Sequence, residues 1–321
     1  MRDATGFSSN TIIGSPEEVA PGVARLDIVL VNAYLVGAPG GPWVLADTGL
    51  PLSAALVRRA AAKRYGDGAR PEGIVLTHGH FDHAGAALDL AGGWDVPIYA
   101  HPLELPYLTG KSDYPPQDPT MGGAIAQLAR LFPRSGHDFG DRVRPLPEDG
   151  SVPGIQNWRW VHTPGHTPGH VSLLRETDRV LLAGDALATM DMDSWVSQLT
   201  RKREFHRPPA PFTPDWEAAR SSVEALADLE PSVVAAGHGL PVEGPHVAEE
   251  LRGFAGRFSP PGTGRYVDQP ARGDEEGVRD LPPPVSDPLP RVVAGAAVAV
   301  ALVVASVALT RRRRSLTRRR R

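Results

Sequence analysis

The segment "THGHFDHAG" (77–85) concentrates metal-binding side chains in a short stretch. It places His78, His80, Asp82 and His83 within six residues, directly after the apolar run "GIVL". Residues two apart in an extended backbone point to the same side, so His78 and His80 can reach one cation. Asp82 and His83 follow at the start of a predicted helix, where the chain turns and can face a second cation. Imidazole and carboxylate groups suit zinc, iron or manganese.

Three further side chains of the same types follow predicted strands. His166 comes after the turn through Pro164 and Gly165 in "HTPGHTPGH", and Asp185 closes the apolar run "VLLAGD", where an unpaired carboxylate would be costly. His238 lies between glycines in "AAGHG", where a backbone without side chains lets the imidazole approach a site closely. A polar loop with solvated histidines is the alternative interpretation. The density of ligand types favours a metal centre.

The elements that must position these residues alternate along the chain. Short apolar runs predict β-strands, including one strand over 24–37, and helical patterns cover 51–66, 84–93 and 213–230. Thr213 is the predicted cap of the last helix. This alternation predicts an α/β layered domain, in which loops at strand ends collect the chemistry.

Composition excludes several classes of site. The chain of 321 residues contains no cysteine, so a disulfide, a thiolate nucleophile and a zinc site with sulfur ligands are all excluded. Eight arginines in the tail 311–321 mask the acidity of the rest, because the net charge of the whole chain is only -3. An acidic body is a poor binder of phosphate backbones, so nucleic acid is not an expected partner.

The order of these motifs resembles that of a known family. "THGHFDH", "HTPGHTPGH", "AGDAL" and "GHG" look like the metal motifs of the metallo-β-lactamase-fold hydrolases, in particular the glyoxalase II-like and lactonase-like branches. The resemblance covers about residues 20–245. It implies a four-layer αββα sandwich with the site at one edge between two sheets. It also implies that Asp47, in "ADTG", orients the ligands.

The resemblance further implies a dinuclear centre with one bridging ligand. The first metal would be held by His78, His80 and His166. The second would be held by Asp82, His83 and His238, and Asp185 would bridge the two. Two Zn²⁺ ions are expected, with iron or manganese as alternatives.

These expectations define a reaction. A metal-bridging hydroxide would attack a small acyl substrate, which is an ester, a thioester or a lactone, and Asp82 would carry the proton to the leaving group. Asp185 is the second predicted catalytic residue. The loops 102–136 and 187–212 are the candidates for lining the substrate pocket.

Three other functions stay open at this point. One is non-haem di-iron oxidation chemistry, which some relatives with this fold perform, and metal analysis would distinguish it. Another is nucleic-acid processing, which the acidic body disfavours. The third is a membrane-tethered scaffold whose metal site does no catalysis, and a protein with full metal content but no hydrolysis would support it.

The remainder of the chain predicts a tether and an anchor. Residues 1–257 form the predicted hydrolase domain, 258–290 a Pro/Gly-rich disordered linker, 291–310 a transmembrane helix and 311–321 an Arg-rich tail. The helix contains 18 uncharged residues, 292–309, about 27 Å long against a bilayer core of roughly 30 Å.

The N-terminus shows no secretory signal pattern, so the predicted location is the cell membrane with a cytoplasmic catalytic domain. A full crossing would then place the arginines outside, against the positive-inside tendency. The alternative keeps the tail on the cytoplasmic side, against anionic lipid.

Overall fold

The computed structural model describes residues 14–134 and 136–286, which contain two large β-sheets. In the first sheet seven described strands lie in chain order: β1 (Pro16–Ala20), β2 (Val23–Ile28), β3 (Val31–Val36), β4 (Val44–Ala46), β5 (Ile74–Val75), β6 (Ile98–Ala100) and β7 (Val143–Pro145). Neighbouring strands from β1 to β4 are antiparallel, and those from β4 to β7 are parallel. The parallel strands therefore direct their following loops to one edge.

The second sheet has five described strands and the same mixed character. Its spatial order runs from β12 to β8, and the strands are β8 (Trp158–His162), β9 (Val171–Arg175), β10 (Val180–Gly184), β11 (Val233–Ala236) and β12 (Val242–Glu243). Strands β10 and β11 are parallel, so the loops after both leave the sheet at the same edge. Asp185 follows β10 and His238 follows β11.

The described helices flank the sheets or sit in the loops. They are α1 (Ala54–Tyr65), α2 (Phe81–Ala84), α3 (Ala87–Trp94), α4 (Leu105–Leu108), α5 (Ala124–Leu128), α6 (Trp195–Thr200), α7 (Trp216–Asp228) and α8 (Val247–Gly256). Short 3₁₀ turns cover Pro102–Glu104, Pro119–Met121, Ala129–Leu131, Gly140–Arg142 and Ala210–Phe212.

Three apolar clusters show how the layers pack. One joins the first sheet to α1 and α3, and another joins the second sheet to α7 and α8. The third lies between the sheets, where Val36 and Val75 of the first share a core with Leu173 and Leu182 of the second. The predicted α/β fold with helices outside two sheets is present in the described residues.

The predicted strand over 24–37 is two strands. Strand β2 ends at Ile28 and β3 begins at Val31, with Val29 and Leu30 at φ 47° and 74° between them. Two central residues with positive φ form the tight turn that matches the twist of a hairpin. The prediction of one strand was wrong because apolar residues occupy this turn, where glycine or asparagine would have marked it.

The predicted linker also differs from the structure. Phe258 and Tyr266 are buried in the same cluster as α7 and α8, and the Tyr266 hydroxyl donates to the Pro116 carbonyl at 2.6 Å. The segment continues into a hairpin of β13 (Arg272–Asp274) and β14 (Gly277–Asp280). Composition predicted disorder here, but two aromatic side chains hold the segment on the domain.

The predicted transmembrane helix 291–310 and the tail 311–321 lie outside the described residues. Within the ranges that the structure describes, no helix combines the length and the hydropathy needed to cross a bilayer.

Candidate metal centre

The loop after β5 carries four of the predicted ligands. His78 and His80 follow β5, His80 has extended backbone, and α2 begins one residue later, so Asp82 and His83 lie on its first turn. Gly79 has no space for a side chain, because an added Cβ would stand 2.4 Å from the Tyr114 hydroxyl oxygen. The loop therefore needs a glycine between its first two histidines.

The first cluster joins this loop to the one after β8. The ligand atoms of His78, His80 and His166 lie within 4.8 Å of one another. The Nδ1 atom of His80 and the Nε2 atom of His166 are 2.9 Å apart, so both nitrogens are directed toward one point.

The second cluster brings the end of β11 to the same loop. The ligand atoms of Asp82, His83 and His238 also lie within 4.8 Å of one another. The His238 Nε2 atom is 3.5 Å from the Asp82 Oδ2 atom. Its other ring nitrogen is 2.6 Å from the carbonyl oxygen of Leu30, in the hairpin turn.

Asp185 lies between the two clusters. Its Oδ2 atom is 3.5 Å from the His166 Nε2 atom and 3.2 Å from the His238 Nε2 atom. Its Oδ1 atom is 3.5 Å from the Nε2 atom of His83. All seven predicted site residues are therefore brought together by the fold.

The polar atoms at the centre fit a bound cation. The Nε2 atoms of His78 and His83 and the Oδ1 atom of Asp185 are buried and have no hydrogen-bond partner among the described residues. Buried polar atoms without partners are costly, and those of a metal site are satisfied by the ion. The donors are nitrogen and oxygen atoms, as zinc, iron and manganese accept.

The opposite ring nitrogens of the histidines have neighbouring oxygens of their own. Such contacts fix the orientation of a metal-binding imidazole. They join His78 Nδ1 to Thr77 Oγ1 at 3.1 Å, His83 Nδ1 to Asp47 Oδ2 at 2.8 Å and His166 Nδ1 to Thr213 Oγ1 at 3.2 Å. Asp47 also accepts from the backbone N–H and the hydroxyl of Thr77.

Thr213 has a different role from the predicted one. The residue that caps α7 is Asp215, whose carboxylate accepts from the Ala218 N–H at 2.9 Å. Thr213 lies before the helix, and its hydroxyl donates to the Pro209 carbonyl at 2.9 Å and contacts His166 Nδ1.

Two histidines near His166 contact other groups. The Nε2 atom of His170 accepts from the backbone N–H of Asp185 at 2.8 Å, so this imidazole orients the strand end that carries the carboxylate. His162 instead stacks on His101 with ring centroids 4.2 Å apart. Burial, followed by the nearby His162, lowers the pKa of His101 to about 4.

The histidines of the site differ in the direction in which their surroundings shift the pKa. Burial lowers the pKa of His80 to about 3, which keeps this imidazole neutral and able to bind a cation. Burial also lowers the pKa of His83, but the carboxylates of Asp185 and Asp47 outweigh it and raise this pKa well above the ordinary value. Burial would raise the pKa of Asp185, yet the imidazoles of His238 and His83 hold it well below the ordinary value.

Glu104 is an organising residue that the sequence analysis missed. Its fully buried carboxylate accepts from the N–H groups of Gly79 at 3.0 Å and Gly169 at 2.9 Å, and from the hydroxyls of Tyr114 and Thr167. Burial raises the pKa of this carboxyl, whereas the four donors favour its ionised form. One side chain thus ties the loop of His78 and His80 to the loop of His166.

A cavity of about 260 Å³ opens onto the candidate ligands. Five of the candidate ligands line it: His80, Asp82, His166, Asp185 and His238. Tyr114, Met192 and Trp195, from the two loops predicted to form a pocket, contribute to its lining. Tyr107, Met121, Met190 and Phe205 of the same two loops are not part of the lining found in the described residues.

The sequence profile of the metallo-beta-lactamase superfamily matches residues 26–238. The chain belongs to this superfamily. It is 46% identical over 249 residues to the probable metallo-hydrolase YflN of Bacillus subtilis, covering 77% of this chain and 94% of that one. The predicted family and the enzyme class, a metal-dependent hydrolase, are thereby confirmed.

The chain is also similar to a named hydrolase and to a protein of solved structure. The chain is 28% identical over 116 residues to the hydroxyacylglutathione hydrolase GloC of Haemophilus influenzae, covering 36% of this chain and 49% of that protein. Among solved structures, TTHA1623 in a di-iron-bound form is 30% identical with a TM-score of 0.48, covering 75% of this chain and 99% of the other.

Proposed function

We propose that this chain is a dinuclear zinc hydrolase that cleaves a small ester, thioester or lactone. The observation that supports the proposal is the convergence of seven nitrogen- and oxygen-bearing side chains from four loops. They form two adjoining ligand clusters. In this arrangement His78, His80 and His166 would hold the first ion. Asp82, His83 and His238 would hold the second, and Asp185, whose carboxylate lies between the two clusters, would contribute to both.

Bound divalent cations would lower the pKa of a water molecule toward neutrality and polarise the acyl carbonyl. The residues of the chain supply the rest. Asp185 sets the separation of the two ligand clusters, and Asp82, a fifth exposed and facing the cavity, carries a proton to the leaving group.

The ester and lactone substrates are proposed from the resemblance of the metal motifs to those of the glyoxalase II-like and lactonase-like hydrolases. The thioester is included because the Haemophilus relative is a hydroxyacylglutathione hydrolase. The same nitrogen and oxygen donors also accept iron or manganese, so zinc is a preference to be measured.

The experiment compares zinc-loaded and metal-stripped full-length protein on a panel of aryl esters, thioesters, lactones and phosphodiesters. We expect hydrolysis of acyl substrates only by the loaded protein. Iron content with oxygen-dependent turnover would overturn the proposal in favour of oxidation chemistry, and phosphodiester cleavage would favour nucleic-acid processing.

A matched pair of variants links the activity to the site. Asp185→Asn removes the charge between the two clusters and is expected to reduce kcat by at least about 100-fold with retained folding. Asp89→Asn makes the same chemical change on α3, where the carboxylate is two-thirds exposed, and should leave the activity unchanged. Equal activity of both variants would contradict the proposed role of Asp185.

A further inference from the structure

We infer that the hydrolase acts on substrates with an extended apolar acyl group, selected by an aromatic wall above the metal centre. This inference rests on the proposed function and names the substrate class of the same site. The aromatic wall consists of Phe81, Phe132 and Phe212.

The aromatic wall runs outward from a candidate metal ligand. The ring of Phe212 is 5.9 Å from that of His80, the rings of Phe132 and Phe212 are 6.0 Å apart, and those of Phe81 and Phe132 are 5.1 Å apart. All three phenylalanines line the cavity and are only partly buried. Their exposed ring surface faces a space that an apolar group would fill with a gain in free energy.

Further apolar side chains that line the cavity are exposed to solvent. Val29 and Leu30, in the turn between β2 and β3, line the cavity while 54% and 46% exposed, and Trp195 does so at 51%. Large apolar side chains that stay exposed beside a pocket indicate contact with an apolar ligand. An acyl chain longer than the cavity would therefore remain in apolar contact.

The scarcity of charged side chains in the cavity lining also indicates an apolar acyl group. Apart from the candidate ligands, Arg134 is the one charged side chain among the described residues that line the cavity. The amides of Gln117 and Gln198 donate to the carbonyls of Pro133 at 2.9 Å and Met192 at 3.1 Å. Apart from the candidate ligands and Arg134, which is exposed, the described residues of the lining offer a charged acyl group no partner of opposite charge, so the loss of its water is costly.

The first experiment uses the zinc-loaded full-length chain and the 4-nitrophenyl esters of acetate, butyrate, hexanoate and octanoate. Each buried methylene should raise kcat/KM by roughly two- to fourfold until the cavity is filled. The succinate half-ester, with a carboxylate at the chain end, should be at least about tenfold poorer than the butyrate ester.

The second experiment tests whether the aromatic wall causes this preference. Phe132→Ala should lower kcat/KM for the hexanoate ester more than for the acetate ester, and Phe132→Leu should restore much of the difference. Leu131→Ala is the matched control, because Leu131 is adjacent in sequence, 79% exposed and outside the lining. It should leave the chain-length dependence unchanged.

The outcomes distinguish the apolar substrate preference from the proposed hydrolase activity. A flat or falling series, or a succinate ester as good as butyrate, would overturn the apolar preference and leave hydrolysis standing. A zinc-loaded protein that cleaves no ester, thioester or lactone would overturn both the preference and the proposed function. Equal effects of Phe132→Ala and Leu131→Ala would show that the aromatic wall does not cause the chain-length preference.

Discussion

At the scale of single residues, the site depends on which nitrogen of each imidazole is left for a metal. Three ligand histidines contact oxygens of Thr77, Asp47 and Thr213 through one ring nitrogen, and the other nitrogen is directed to the centre. Such contacts fix both the tautomer and the orientation of the ring. The residues behind the ligands are therefore as testable as the ligands themselves.

Asp47→Asn changes one of these contacts without removing volume. The amide cannot accept from Thr77 and from His83 Nδ1 as the carboxylate does, so the imidazole loses its fixed orientation. We expect a 10- to 100-fold weaker affinity for zinc, measured by competition with a chelator, in line with other contacts of this type. The exposed Asp89→Asn is the control, and an unchanged affinity in Asp47→Asn would contradict the role of Asp47.

Glu104→Gln tests the residue that joins the two ligand loops. The amide nitrogen would face donors instead of accepting from them, leaving buried N–H or O–H groups unpaired at about 1–3 kcal/mol each. We expect a lower Tm and weaker zinc binding. Glu250→Gln, on the exposed face of α8, should change neither, and a Glu104→Gln variant that matches it would disprove the role.

The sequence predicted the ligands better than their supports. Histidine and aspartate at strand ends are recognisable because few other structural uses exist for that density of ligand types. Glu104 has no such local signal, since a glutamate in "HPLE" is ordinarily a surface residue and its donors come from segments up to 65 positions away. Only the folded chain shows that it is buried.

At the scale of elements, close packing of the strand ends holds the centre together. Gly237 follows β11, and a Cβ there would stand 2.1 Å from the Asp185 Oδ1 atom and 2.6 Å from the His83 Cε1 atom. A glycine is required because two candidate ligands occupy the space of its side chain. The sequence indicated this close approach through the glycines around His238.

Gly237→Ala should therefore displace Asp185 and reduce both zinc content and kcat/KM by at least about 10-fold. Gly92→Ala, inside α3, is the matched control, because no atom lies within 4 Å of its added Cβ. It should retain activity and gain up to about 1 kcal/mol of stability from helix propensity. Full zinc content in Gly237→Ala would contradict the packing argument.

The boundaries of elements were less predictable than their types. The apolar residues Val29 and Leu30 hid the turn between β2 and β3, and the same side chains now line the cavity. The apolar pattern predicted that they lie within one strand, whereas the structure places them in an exposed turn. A local departure from the expected turn chemistry thus coincides with the site, as is common at functional positions.

At the scale of the whole molecule, residues 258–283 complete the domain. Phe258 and Tyr266 are buried against the helices of the second sheet. Removing them would expose apolar surface worth about 3 kcal/mol or more. A chain ending at residue 257 should therefore have a Tm lower by roughly 6 °C or more than one ending at 286. Equal Tm values would instead support the predicted disordered linker that begins at residue 258.

The segment 291–310 keeps its sequence-based prediction of a membrane anchor. We expect the full-length chain to fractionate with membranes and a chain ending at residue 286 to remain in the supernatant. The proposed cytoplasmic location of the catalytic domain requires that external protease leave it intact. Recovery of both chains in the supernatant would contradict the anchor.

We propose that a pair of cations held by seven side chains makes this chain a hydrolase. The most direct test is a titration of metal-stripped full-length protein with Zn²⁺, in which bound metal and hydrolysis of the butyrate ester are measured together. We predict that activity rises with occupancy and reaches its maximum near two ions per chain. Full turnover by protein without bound metal would show that hydrolysis does not depend on the two cations.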